Sequence, residues 1–440
     1  MLRQLIGQVQ ELWELSGPHT LDRDERWYIL DFGKSTMEHD FCNFIEGKSG
    51  PLKMVEAHKS PPTKKSRRGK SREKGDIMEQ QIWKDLPEDL IDAVVARLPI
   101  ATFFQLRVVC SRWNSLITSA SFSQHYAEIP QSYPWFYTTT TYANVNIRAM
   151  YDPSLKKWYY SSIPSLPACM TFFPVASAGG LICFVDISQR NFYVCNPLTL
   201  SFKELPSLPV KAWMNVAVGM VLNGRTADCG YKIVWLDENG NHQVYDSLQN
   251  TWRQPGNFPP SIKLPLSLNF RSQTVSIDST IYFMCVNPGG VLSYDVVTGT
   301  WRQFLIPYPE HLTNHVLAVS GDQVLLVGLL SKNAATCVCV WELQKMTLLW
   351  KEVDRMPNIW CLDFYGKHVK MTCLGNRRLL MLSIVTSGRS RRICCMHHIV
   401  TYNISRREWQ RIPDCKNPRG KRKLWITCGT TFDPFPTALA

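Results

Sequence analysis

A run of soft metal ligands stands near the C-terminal end of the chain. Residues 394–398 read Cys-Cys-Met-His-His, and thiolate, thioether and imidazole groups together can bind copper or zinc. Neighbouring residues of a β-strand point to opposite faces, however, so at most about half of these side chains could converge on one ion. Cys337 and Cys339 form a second candidate, but they stand among Val and Trp in an apolar run, which favours core packing. The sequence therefore predicts no metal and no cofactor, with a metal site at 394–398 as the alternative.

Catalytic motifs of the common kinds are also missing from the chain. The HExxH, GxSxG and phosphate-binding-loop patterns and the paired CxxC spacing do not occur in the 440 residues. We therefore predict that the protein binds other molecules and has no catalytic residues of its own.

The net charge is concentrated in one short segment. The chain has a formal charge of +13, and residues 59–74 (KSPPTKKSRRGKSREK) hold eight Lys or Arg and one Glu. The rest of the chain is only mildly basic, so we expect no direct nucleic-acid binding. The basic run is either a nuclear-import signal or a solvated linker, and both interpretations stay open. The predicted location is the nucleus, the cytoplasm or both.

The first 80 residues differ in composition from the rest of the chain. They mix a short amphipathic start with polar, Pro- and Gly-containing sequence, and we expect residues 1–80 to be largely disordered. No stretch approaches the roughly 18 apolar residues of a membrane span, so no membrane contact is expected. Because the start also lacks a secretory pattern, the fifteen cysteines are expected to be reduced thiols.

Residues 83–122 carry more apolar surface than their length can bury. Three helical segments are predicted, the first an amphipathic stripe that ends at Pro99. Forty residues cannot enclose so many large side chains among themselves. We therefore expect a second polypeptide to cover part of this surface.

The same segment resembles the F-box, a three-helix module that docks on the small Skp adaptor of SCF ubiquitin ligases. The resemblance covers residues 81–125 and rests on 86–90 (LPEDL), 98–99 (LP) and 108–116 (VVCSRWNSL), which fall in the order and spacing of that family. It implies binding to the adaptor and, through it, to a cullin and a RING protein. The residues that would face the adaptor, or hold the helices that do, are Leu86, Pro87, Leu90, Ile91, Leu98, Pro99, Val109, Cys110 and Trp113. The alternative is that they form only the core of a small helical bundle.

From residue 134 onward, short runs rich in Val, Ile, Phe, Tyr and Trp alternate with turn residues and predict β-strands. One phrase recurs, with Asp, Asn or Glu at its second position and an aromatic residue at its end. Its copies are YDPSLKKW (151–158), CNPLTLSF (195–202), YDSLQNTW (245–252), YDVVTGTW (294–301), WELQKMTLLW (341–350) and YNISRREW (402–409). Successive copies start 44 to 61 residues apart, a period typical of β-propeller blades.

Each copy is predicted to be the hairpin between the last two strands of a four-stranded blade. The polar second residue would accept backbone N–H groups, and the closing aromatic residue would pack between neighbouring sheets. The first copy follows a single strand and the last precedes an extra one (LWITCGTTF, 424–432), so joining the two ends completes a sixth blade. Residues 134–440 resemble a kelch-repeat propeller, although only Gly179 and Gly180 cleanly occupy the position of that motif's paired glycines before the tyrosine strand.

The predicted architecture is therefore mainly β: a six-bladed kelch-like propeller preceded by the F-box and the disordered basic region. Together the two resemblances indicate a plant-type F-box/kelch-repeat protein. They imply the non-catalytic substrate-recognition subunit of an SCF ubiquitin ligase, whose propeller binds an unknown protein. The alternatives are a non-degradative scaffold or transcriptional co-regulator, and a propeller enzyme.

Target binding is expected at loops that converge on one face of the ring. With four antiparallel strands per blade, the loops joining second to third strands lie on the same face as those joining successive blades. Basic residues predicted there are Arg190, Lys332, Arg389, Arg391 and Arg392. They could bind an acidic or phosphorylated segment by charge-assisted hydrogen bonds, or be solvated surface charges.

Overall fold

A computed structural model describes residues 87–440 except 108, 130–133, 143–144, 161–171, 209, 211–212, 214, 225–228, 267, 269–273, 377, 388–395, 417–425 and 427. Within the described residues, a small helical module precedes a ring of six four-stranded antiparallel sheets. This arrangement confirms the predicted fold class. The predictions for residues 1–80, including the basic run, lie outside the described residues.

From residue 87 to residue 129, the helical module shows four short helices. They are α1 (Glu88–Ala96), α2 (Ile100–Leu106), α3 (Ser111–Ser115) and α4 (Ala120–Ala127), with a 3₁₀ turn (Leu116–Thr118) before the last. Pro87 and Pro99 directly precede α1 and α2, where a missing N–H is harmless and a fixed φ near −54° suits the chain entry. Sequence patterns predicted three helices, and α4 is an addition. Its Phe122 is fully buried and stacks on Phe103 at 4.9 Å, so α4 closes the module's core.

The described part of the ring contains 24 strands. Their bounds are β1 Trp135–Tyr142, β2 Val145–Asp152, β3 Lys157–Tyr160, β4 Phe172–Ala178, β5 Leu181–Asp186, β6 Asn191–Cys195, β7 Phe202–Glu204, β8 Val216–Leu222, β9 Tyr231–Asp237, β10 His242–Asp246, β11 Thr251–Arg253, β12 Val275–Ile277, β13 Thr280–Cys285, β14 Gly290–Asp295, β15 Thr300–Leu305, β16 Leu312–Ser320, β17 Gln323–Lys332, β18 Ala335–Gln344, β19 Leu349–Arg355, β20 His368–Asn376, β21 Leu379–Ser387, β22 Met396–Asn403, β23 Glu408–Arg411 and β24 Cys428–Phe432. Between β19 and β20 lie a short helix, α5 (Asn358–Cys361), and a 3₁₀ turn (Leu362–Phe364).

The C-terminal strand closes the ring, as the sequence predicted. Blade 1 has the order β24-β1-β2-β3, whereas blades 2 to 6 each use four consecutive strands starting at β4. β24 pairs antiparallel with β1, from Trp135 opposite Phe432 to Thr139 opposite Cys428. The innermost strands β24, β4, β8, β12, β16 and β20 contact one another in this order around the axis. Pairing the two ends leaves no open sheet edge at the junction.

The recurring phrase forms the predicted hairpins. Asp295 Oδ1 accepts hydrogen bonds from the backbone N–H groups of Val297 (2.9 Å) and Thr298 (3.0 Å), and the corresponding residues of copies 1, 2, 3 and 6 act in the same way. The closing tryptophans of copies 1 and 3 join blades: Trp158 Nε1 donates to Pro413 O, and Trp252 Nε1 donates to Pro206 O, both at 2.8 Å. These two hairpins therefore stabilise both their own turns and the contact with the preceding blade.

The alternating strand directions give the ring two distinct faces. The hairpin face carries the six turns at 153–156, 196–201, 247–250, 296–299, 345–348 and 404–407. The loop face carries the connections between second and third strands and those between blades. β24 ends at the hairpin face, so the final segment, residues 433–440, lies there. The helical module is attached to this face.

Candidate protein-docking surfaces

The first surface is an exposed apolar face on the helical module. Leu90 projects from α1 with 52% of its surface exposed, and Val109 is also exposed in the turn between α2 and α3. Pro87, Pro99 and Cys110 are exposed as well. These five residues, here called the module face, stand at the helix starts and in the turns. Leu86, which was predicted to belong with them, lies outside the described residues.

The other residues predicted for this surface hold the helices together. Leu98 is buried in the module's core. Ile91 and Trp113 are partly buried and pack against that core, so each presents only part of its side chain to solvent. The predicted set therefore divides into an exposed group and a supporting group. No described contact shows what covers the exposed group.

Another part of the module, on α4, is covered by the chain itself. Tyr126 of α4 donates a hydrogen bond through its hydroxyl to Pro434 O at 2.9 Å, and its ring meets Phe435 edge-on at 5.4 Å between centroids. The hydroxyls of Ser123 and Thr437 are also hydrogen bonded at 2.9 Å. A second polypeptide is thus not needed for all of the module's apolar surface, because residues 433–440 cover part of it.

Blade 2 contacts the C-terminal segment, residues 433–440, and holds it in place. Asn196, the polar residue of the second hairpin copy, donates through Nδ2 to Phe435 O (2.9 Å) and Ala438 O (3.0 Å). Gly180 lies directly under Phe435, and a Cβ added there would stand 2.7 Å from the Phe435 Cβ, at a φ of +85°. Glycine is thus required on both steric and conformational grounds. The segment fixes the module on the ring.

The loop face holds the basic residues predicted to bind a target. Arg190 is exposed in the turn between β5 and β6, and Lys332 is exposed at the end of β17. Both lie on the loop face, as expected, but blades 2 and 5 stand across the ring axis from each other, so the structure does not bring the two side chains together. Arg389, Arg391 and Arg392 lie outside the described residues. Target binding by these five residues stays a prediction.

The two histidines of the metal-ligand candidate at 394–398 have different surroundings. His397 is hydrogen bonded through Nε2 to Ser383 Oγ at 2.9 Å, whereas His398 Nε2 stands 3.6 Å from a carboxylate oxygen of Asp363. The two imidazoles thus contact different partners. Cys394 and Cys395 lie outside the described residues.

The second metal-ligand candidate, Cys337 with Cys339, lies beside a third cysteine that the sequence did not indicate. Cys361 of α5 donates a hydrogen bond to Cys337, with 3.4 Å between the sulfur atoms. Hydrogen bonds from the thiols of Cys339 and Cys361 lower the pKa of Cys337. Within the described ranges, no group of three or more His, Cys, Asp or Glu side chains is arranged to hold a metal ion.

Besides the module face and the basic residues of the loop face, the structure shows a third candidate surface, which was not predicted from the sequence. Ile359, Leu362 and Tyr365 are all strongly exposed in the loop between β19 and β20, on the loop face. They are here called the apolar ridge. The signal for it was present: Pro357 marks a helix start, and two interleaved apolar sets follow at spacings of three and four residues. The loop was too short to be distinguished from connecting sequence.

Comparison with known proteins identifies both parts of the chain. An F-box domain model matches residues 83–125, and a family model described as "F-box protein At3g26010-like, beta-propeller" matches residues 139–372. The chain is 52% identical to F-box only protein 6 of Arabidopsis thaliana over 470 aligned positions, which cover 100% of this chain and 99% of that protein.

More distant relatives match this chain along most of their length. Protein UNUSUAL FLORAL ORGANS of Arabidopsis thaliana is 25% identical over 78% of this chain and 81% of its own length. F-box/kelch-repeat protein At5g43190 of the same plant is also 25% identical, over 82% of this chain and 89% of its own length. Across the described residues, every helix is too short or too polar to span a lipid bilayer.

Proposed function

Because this chain belongs to the family of F-box proteins that carry a β-propeller, we propose that it is the substrate-recognition subunit of an SCF-type ubiquitin ligase. An F-box implies binding to a Skp-type adaptor in general, and the cullin and the RING protein would be reached through that adaptor. The observation that carries the proposal is the module face, where Leu90 and Val109 stay exposed although the rest of the module is packed. Exposed large apolar side chains on so small a module indicate a protein interface.

The contribution of such a subunit is proximity. The protein itself would form no covalent bond, because ubiquitin transfer belongs to an enzyme recruited by the RING protein. By holding a target on the ring and the adaptor on the module, the chain raises the effective concentration of target lysines near the activated ubiquitin. Residues 433–440 suit this role because they connect the module to the ring through several contacts and limit its reorientation.

Substitution of Leu90 tests adaptor binding. Leu90→Glu would place a carboxylate at the centre of an apolar interface, and burying an unpaired charge costs several kcal/mol, so the dissociation constant should rise at least about a hundredfold. Leu155→Glu is the matched control, because Leu155 is 49% exposed on the first hairpin of the ring, close to the 52% of Leu90. The full chain is expressed with a Skp-type adaptor, and the affinity is measured by calorimetry.

Three results would be informative. Loss of adaptor binding in Leu90→Glu alone, with unchanged melting temperatures in both variants, supports the proposal. Equal adaptor affinity of the wild type and Leu90→Glu contradicts it. Equal loss in both variants also contradicts it, because the module face would then have no special role.

The location of the protein is part of the same proposal. We propose that it acts in the nucleus, the cytoplasm or both, with the basic run 59–74 supporting nuclear import. A cytosolic reporter fused to residues 55–76 should accumulate in the nucleus, and an unchanged distribution would count against import. A non-degradative role is distinguished by proteasome inhibition, which should raise the level of a bound target only if the target is degraded.

A further inference from the structure

The apolar ridge is a continuous exposed feature. Ile359, Leu362 and Tyr365 are 73%, 71% and 64% exposed, although each is a large apolar or aromatic side chain. They are spaced three residues apart across α5 and the following 3₁₀ turn, where residues i and i+3 lie nearly above one another. Single exposed apolar residues are common on protein surfaces, but three in one row form a patch.

Buried residues of the same loop hold the ridge in place. Met356 and Phe364, on the other side of the same loop, are buried in the core shared by blades 5 and 6. Trp360 is partly buried in that core, with the Arg411 guanidinium 5.0 Å from its ring centroid. Gly366 N donates to Ala334 O at 2.9 Å, which fastens the loop to the turn between β17 and β18. The loop is thus preorganised, and this reduces the entropy lost on binding.

Basic side chains stand in the ridge loop and in the segments next to it. They come from the turn of blade 5, the loop itself, the start of β20 and the end of β23. The cations are Lys332, Lys367, Lys370 and Arg411. The acidic residue of the loop, Asp363, already faces two basic groups, because Arg411 Nη2 and His398 Nε2 stand 3.7 Å and 3.6 Å from its Oδ2. The four cations therefore outnumber Asp363, the one carboxylate of the loop.

We propose that the ridge docks a segment of the target protein that combines large apolar residues with Asp or Glu. The apolar residues of that segment would cover Ile359, Leu362 and Tyr365, and its carboxylates would meet the surrounding cations. Apolar burial supplies most of the affinity in such a contact, while complementary charge raises the association rate and excludes basic segments. The inference rests on the proposed function, in which the ring binds a target. The ridge is on the loop face, so a segment bound there leaves the module face free for the adaptor.

A defined probe for this surface is a displayed library of random peptides. The library is selected on the full chain bound to a Skp-type adaptor, then depleted on a variant with Ile359→Ser, Leu362→Ser and Tyr365→Ser. These side chains are exposed, so the substitutions should leave the melting temperature unchanged. Peptides that survive should be enriched in large apolar residues together with Asp and Glu. Enrichment in Lys and Arg, or no enrichment, overturns the proposal.

Affinities of one selected peptide then test the surface quantitatively. The ridge variant should bind it at least about tenfold more weakly, as expected when central apolar residues of an interface are truncated. Lys332→Glu with Lys370→Glu should weaken binding and flatten its dependence on salt. The control variant has Leu248→Ser, Val297→Ser and Met346→Ser, which remove three comparably exposed residues from the hairpin face, and it should bind as the wild type does.

The remaining outcomes separate this inference from the proposed function. Equal peptide affinity in the ridge and control variants refutes the proposed docking at the ridge. Ridge-dependent binding to vesicles of acidic phospholipid, without peptide binding, refutes it as well. Ridge-dependent self-association of the chain without peptide binding refutes it too. Adaptor affinity is measured on the same protein variants. If the adaptor still binds but the peptide does not depend on the ridge, only this inference is refuted. If Leu90→Glu leaves the adaptor affinity unchanged, the proposed function is refuted instead.

Discussion

Deleting residues 433–440 should release the helical module from the ring without opening the ring. The closing strand β24 ends at Phe432, so this truncation leaves its pairing with β1 intact. It removes the segment that lies between α4 and blade 2. Deleting 424–440 removes β24 as well, and it serves as the comparison that should unfold the ring cooperatively.

The expected size of the effect follows from three contacts. The Tyr126–Pro434 and Ser123–Thr437 hydrogen bonds, each 2.9 Å long, contribute about 1 kcal/mol each. The edge-on contact between Tyr126 and Phe435 adds about 1 kcal/mol. A total of about 3 kcal/mol corresponds to a roughly hundredfold increase in the opening of α4.

Hydrogen exchange of the full chain measures this opening directly. Amides of α4 should exchange roughly a hundredfold faster in the 433–440 deletion, whereas amides of β24 and β1 should keep their protection. Leu439→Ser is the matched control, because Leu439 lies in the same segment with its side chain exposed, and it should leave α4 unchanged. Unchanged exchange of α4 after the deletion would refute the view that the C-terminal segment holds the module.

Two further predictions concern the ring. Lys156 and Arg407 occupy equivalent hairpin positions at φ values of 53° and 54°, so Lys156→Gly and Arg407→Gly should each raise the free energy of unfolding by about 0.5 kcal/mol. Arg406 lies outside the left-handed region, so Arg406→Gly should lower the free energy of unfolding. Denaturant titration measures these changes, and stabilisation by Arg406→Gly would contradict the reasoning. Burial lowers the pKa of His242, whose Nε2 accepts from Trp301 Nε1 at 3.3 Å, so below about pH 6.5 the unfolded chain binds the extra proton and stability falls as pH decreases. His242→Gln should therefore lose less stability than the wild type between about pH 7 and pH 5, and parallel pH curves would contradict this origin.

Much of the fold could be predicted because each blade repeats one local pattern. The polar second residue and the closing aromatic residue of the hairpin phrase act within a few residues, or on the adjacent blade, so their roles are visible in the sequence. Closure by the last strand followed from counting strands. Exposure of Leu90 followed from the excess of apolar residues in a short module.

The features that were missed depend on contacts between distant parts of the chain. Nothing in the local pattern of α4 indicates that Tyr126 meets Pro434 and Phe435, more than 300 positions away. The left-handed conformation of Leu200 and Leu348 carries no sequence signal either, because leucine rarely adopts it. The apolar ridge shows the same limit: Phe364 and Leu362 look alike in the sequence, and only packing against blades 5 and 6 buries the first and exposes the second.

The most direct test of adaptor docking uses two natural cysteines. Among the described cysteines, Cys110 in the module face and Cys229 in the ring are the exposed ones. The labelling rate of each by a maleimide, read by mass spectrometry of the full chain, should be compared with and without a Skp-type adaptor. An adaptor bound to the module face should slow labelling of Cys110 by about tenfold or more and leave Cys229 unaffected. An unchanged rate at Cys110 in a complex shown to have formed would contradict it.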